Sequence, residues 1–113
     1  MAVRRNKYNA RKVKIDGHIF DSIAESQYYA ELKLRQRAGD LKILELQPKV
    51  YLTRAKILMK LDFLIERDGE KVWIDVKGMP TPVFNLKKRL WKHYGPGKLE
   101  VVYKNKIEVV NGI

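Results

Sequence analysis

The chain has 113 residues, with 24 Lys plus Arg against 13 Asp plus Glu, for a formal net charge of +11. That length supports one hydrophobic core, and a 45% hydrophobic content excludes global disorder despite the charge. The absence of cysteine excludes disulfides, thiolate metal sites and thiol nucleophiles, and fits a reducing cytoplasm. No apolar run approaches the roughly 18–20 residues of a membrane-crossing helix, so no membrane partner is expected. The excess of positive charge calls for an anionic partner, nucleic acid before anionic lipid.

Residues 1–14 hold Arg4, Arg5, Lys7, Arg11, Lys12 and Lys14 with no acid among them. Residues 1–12 are expected to be a flexible basic arm that follows phosphates, and residues 13–113 the folded domain. The plain alternative for the arm is a solubilising tail. Val13-Lys14-Ile15 and His18-Ile19-Phe20 flank Asp16-Gly17, a two-residue hairpin signal. Ser22 followed by Glu25 matches a capping box, and Ala38-Gly39 is a stop, which predicts a helix over about 22–37.

Leu41 to Leu52 reads as one extended segment, with an edge or bulge at Pro48. Ile57 to Ile65 alternates without a break and predicts one strand. In that strand Asp62 faces away from Leu61 and Phe63. Asp68-Gly69 turns the chain into a strand whose apolar face is Val72, Ile74 and Val76, with Trp73, Asp75 and Lys77 on the other face. A loop follows over 78–82, then a helix from Val83 to Tyr94 ended by Gly95-Pro96-Gly97. Strands from Leu99 to Tyr103 and Ile107 to Val110 close the chain. The order ββ-α-βββ-α-ββ predicts a mixed α/β domain with a central sheet.

Three acids draw together in this scheme. Asp62 and Asp75 lie six and seven residues from the Asp68-Gly69 turn, so a hairpin makes them cross-strand neighbours. Opposed like charges destabilise a sheet unless something lies between them, and a divalent metal is the economical candidate. Glu25 has Tyr28, Tyr29 and Leu32 as helical neighbours, an apolar face that should pack on the sheet. A buried carboxylate without a partner costs several kcal/mol, far more than the roughly 1 kcal/mol a cap returns. The competing readings are a capping role for Glu25, a solvated Asp62, and a weak surface ion pair for Asp75 and Lys77. The chemistry that suits the set is phosphodiester hydrolysis. Carboxylates hold Mg²⁺, the ion offsets phosphate charge and activates water, and a lysine orients that water and the phosphate.

Glu25, Leu61-Asp62-Phe63 and Asp75-Val76-Lys77-Gly78 resemble the PD-(D/E)XK nuclease superfamily. The stretch Phe20-Asp21-Ser22-Ile23-Ala24-Glu25 with Lys60-Leu61-Asp62-Phe63 is similar to short phage endonucleases of that group, including Holliday junction resolvases. The resemblance spans about residues 6–103. It implies a restriction-endonuclease-like mixed sheet flanked by two helices, and a homodimeric, Mg²⁺-dependent DNA endonuclease in which Mn²⁺ can substitute. It also implies cleavage that leaves a 5′ phosphate and a 3′ hydroxyl. By resemblance Glu25, Asp62 and Asp75 are the metal ligands and Lys77 the catalytic lysine. Leu61 departs from the proline usual in the motif, at a position that shapes the chain and holds no metal.

The expected substrate is branched or otherwise non-B-form DNA, bound by charge and read by shape. Lys87 and Lys88, on one side of the second helix with Phe84 and Trp91, join Arg4, Arg5, Lys7, Arg11 and Lys12 as expected DNA contacts. No small-molecule cofactor is expected. The rival readings are a nicking or restriction-type enzyme on plain duplex, a non-catalytic basic DNA-binding protein, and a subunit of a larger assembly.

Overall fold

The computed structural model describes residues 11–113. The chain opens with the expected hairpin, β1 (Val13–Ile15) against β2 (His18–Phe20). Asp16 and Gly17 both take positive φ, 53° and 80°, the backbone a type I′ turn requires. Helix α1 (Ile23–Arg37) follows, with the Ser22 side chain accepting the Glu25 N–H at 3.1 Å. The capping box closes one residue early. Glu25 Oε2 accepts from Asp21 N–H at 3.2 Å, upstream of the cap itself.

The segment 41–52 is two strands, β3 (Lys42–Leu46) and β4 (Lys49–Leu52), split where Gln47 adopts φ 53° before Pro48. The expected single strand over 57–65 is also two, β5 (Ile57–Lys60) and β6 (Phe63–Arg67). β5 pairs with β4, whereas β6 joins the central sheet. Leu61 and Asp62 are the crossing point. The apolar alternation runs through the crossing unbroken, but it serves two cores. Met59 and Leu61 pack on one side of the sheet, and Phe63 and Ile65 on the other.

β7 (Glu70–Val76) returns from β6 through Asp68-Gly69, again with two positive φ values. Helix α2 (Pro82–Tyr94) is capped by the Thr81 side chain, which accepts from Phe84 N–H at 3.1 Å. β8 (Lys98–Val102) and β9 (Ile107–Asn111) complete a five-stranded sheet in the order β3-β6-β7-β8-β9. Only β7 and β8 are parallel, joined across α2. The architecture is the expected mixed α/β sheet with flanking helices.

Each helix covers one face. Tyr29 and Leu32 of α1 pack with Phe20, Phe63, Ile65, Val72 and Ile74. Phe84 and Trp91 of α2 pack with Trp73, Leu99, Val101 and the β4–β5 hairpin. Trp91 is fully buried, and its indole N–H is satisfied by Gly97 C=O at 2.8 Å. Among the described residues no helix is long and apolar enough to cross a membrane.

Candidate active site

The β6–β7 ladder ends at Phe63 opposite Ile74. The next residues on the two strands are Asp62 and Asp75, so the count from the Asp68-Gly69 turn held. β6 stops here while β7 continues beside β8, leaving a backbone donor on β7 without a strand partner. The Asp62 carboxylate fills that role, with Oδ2 accepting from Val76 N–H at 2.6 Å. Leu61 holds the crossing in place. It is buried, and its N–H donates to Pro48 C=O at 2.9 Å. Proline could not make that bond, so leucine at this position has a structural reason here.

Glu25 sits in the first turn of α1, 5% exposed, and Asp75 is 3% exposed. Burial, a hydrogen bond shared with Glu25 and the charges of Asp75 and Glu25 push the Asp62 carboxyl up to about 10. Burial raises Asp75 as well, against the lowering pull of Lys77, with Glu25 adding to the rise. Acids from a helix, a crossing segment and a strand thus share one low-dielectric place. Like charges so close cannot all ionise, and at neutral pH the cluster retains a proton.

Lys77 lies one residue past β7, with Nζ 3.2 Å from Asp75 Oδ2. The ammonium also stands over the Phe84 ring, 4.4 Å from its centroid. Distance alone makes this an ion pair. Asp75 Oδ2 takes no aligned hydrogen bond and is the one buried side-chain polar atom left without one among the described residues. Such an atom is costly to bury, and the Lys77 ammonium is the charge that meets it here.

These donors suit a hard divalent cation, because all are carboxylate oxygens. They do not form a ready-made cage. Among the described residues no three His, Cys, Asp or Glu side chains stand in metal-holding arrangement. The reason is visible in the bonding, since Glu25 Oε2 is turned to Asp21 N–H and Asp62 Oδ2 to Val76 N–H. Glu25 and Asp62 would hold an ion through their other oxygens, beside the Asp75 carboxylate, after loss of the shared proton.

Four of the basic residues expected to meet DNA are among the described residues. Arg4, Arg5 and Lys7 lie outside the described residues, as does most of the expected arm. Arg11 and Lys12 are exposed ahead of β1. Lys87 and Lys88 are half-buried on α2, and Lys88 is engaged by Glu108 of β9 at 3.0 Å. Sequence reasoning missed the bidentate Arg67–Glu100 pair, at 2.5 and 3.4 Å, with Glu100 only 7% exposed. It also missed Lys104 and Lys106 at the β8–β9 turn. Their alternation after Tyr103 was the available signal.

Residues 5–108 match a family described as a protein of unknown function, DUF1064. The chain belongs to the DUF1064 family. No curated protein matches it. The matched span of the DUF1064 family includes Glu25, Asp62, Asp75 and Lys77 and every helix and strand up to the first residues of β9.

Proposed function

We propose that this chain is a metal-dependent DNA endonuclease, of the kind its motifs resemble, acting on branched or otherwise non-B-form DNA. The observation that carries this reading is the meeting of Glu25, Asp62 and Asp75 beside the Lys77 ammonium, which is the close partner of a buried Asp75 oxygen. A fold spends such buried charge at sites that act on ligands more readily than at sites that only hold it together.

Glu25, Asp62 and Asp75 would hold the ion, with Mg²⁺ the expected one and Mn²⁺ a substitute. When bound, the ion supplies a Lewis acid that offsets charge on the phosphate and eases deprotonation of water. Lys77 holds the phosphate by charge and orients water for in-line attack on phosphorus. The water oxygen bonds to phosphorus as the bond to the 3′ oxygen breaks, and that oxygen leaves with a proton. Asp75 aims the ammonium from one side, and the Phe84 ring supports it from below. A two-fold dimer would present two such sites for paired cuts at a four-way junction, in the cytoplasm.

One observation favours a second reading. Glu25 and Asp62 each already satisfy a backbone N–H, so the acids could serve structure alone in a basic DNA-binding protein. The two readings part in a cleavage assay on four-way, flapped and linear DNA with Mg²⁺, Mn²⁺ or Ca²⁺. The nuclease reading expects cutting with Mg²⁺ and Mn²⁺ and little with Ca²⁺. Binding to every form without cutting under any metal would leave only the second reading. Equal rates on the junction and the linear duplex would remove the preference for branched DNA.

A further inference from the structure

α1 does not cover the whole of its face of the sheet. Over β8 and β9 that face is open, and a groove of about 810 Å³ lies there. One rim is α1, with Tyr28 and Arg35. The other is the β8–β9 turn, with Tyr103, Lys104 and Lys106. The Arg67–Glu100 pair lies along the groove, and Val76, Lys77 and Gly78 line its wall. The groove therefore reaches the residue that carries the lysine of the carboxylate site, while Glu25, Asp62 and Asp75 lie outside its lining.

Its chemistry is specific. The lining holds five cations, counting Lys77, against Glu31 and Glu100. Glu31 is matched by Arg35 at 2.6 Å and Glu100 by Arg67. Lys104 and Lys106 make no ion pair among the described residues, and the Lys106 ammonium lies 5.3 Å from the Tyr103 ring centroid. Cations spaced along a groove, able to follow a phosphate backbone, are the electrostatic part of what binds unpaired nucleic acid strands. The groove has room for a few nucleotides.

We infer that this groove binds a short single-stranded DNA segment, leading an unpaired strand to Lys77. Lys104 and Lys106 take phosphates. The inference rests on the nuclease reading for its purpose, since it explains why branched or flapped DNA would be preferred. The binding claim stands separately.

The test is fluorescence anisotropy of labelled hexathymidine in EDTA, where no cutting can occur. Lys104→Ala/Lys106→Ala is compared with Lys42→Ala/Lys71→Ala, an equal charge loss at exposed strand positions that do not line the groove. Circular dichroism checks that both variants fold. The groove variant should bind at least about 10-fold more weakly, and its salt slope should fall by about 1.4, the value for two single-strand phosphate contacts. The control should keep the slope and lose under about 3-fold. Equal losses in both variants, or no loss in the groove variant, would overturn the inference. Groove-dependent binding by a chain that never cuts DNA would sink the nuclease reading alone. Cutting by a chain whose strand binding ignores Lys104 and Lys106 would sink the groove alone.

Discussion

Asp62 makes the stability of the metal-free protein depend on pH in an unusual direction. Its carboxyl has an ordinary value of 3.8 and is pushed up to about 10 in the folded chain. Between those values the folded chain binds a proton that the unfolded chain has lost. Stability is therefore fully present below about pH 4 and declines as pH rises toward 10, by up to about 1.4 kcal/mol per unit. From pH 6 to 8 the loss from this one group is on the order of 2–3 kcal/mol at most, or roughly 10 °C in melting temperature for a domain near this size. Asp62→Asn keeps the neutral form, and its amide oxygen can still accept from Val76 N–H. The assay is thermal unfolding in EDTA at pH 6, 7 and 8, followed by circular dichroism. Subtracting the variant from the wild type removes the contributions the two chains share. The wild type should lose melting temperature across this window and the variant much less. Parallel curves, or a wild type that gains stability with pH, would refute the shared-proton account.

Two further outcomes follow from the same geometry. Mg²⁺ should raise the wild-type melting temperature more at pH 8 than at pH 6, because the ion competes with that proton, and Asp75→Asn should abolish most of the rise; thermal scans with and without 10 mM Mg²⁺ check this. Arg67→Ala leaves Glu100 buried without its partner and should cost about 2–3 kcal/mol, toward the low end for a buried pair because Arg67 is 31% exposed; urea unfolding measures it.

Much of this was legible in the sequence, where local rules act alone. Both Asp-Gly turns form as the dipeptide demands, and Ser22 caps α1. Counting back from Asp68-Gly69 brought Asp62 and Asp75 together because an antiparallel ladder preserves such counts. The failures share a cause. Met59, Leu61, Phe63 and Ile65 alternate perfectly, yet the chain changes sheets between Leu61 and Phe63. Periodicity reports that a residue is buried and not which core buries it. Lys88 gave no sign of its partner, because Glu108 reaches it through the β8–β9 pairing. The groove was invisible for the same reason, since α1 and the β8–β9 turn meet only in the fold.

The central claim is that Lys77, among the three acids, makes this a cutting enzyme. Its most direct test is a four-way DNA junction incubated with Mg²⁺ and either wild-type chain or Lys77→Ala, with binding measured in parallel. The account predicts cleavage by the wild type, a loss of at least about 100-fold in the variant, and binding unchanged within a few-fold. A variant that cuts as fast as the wild type would contradict it.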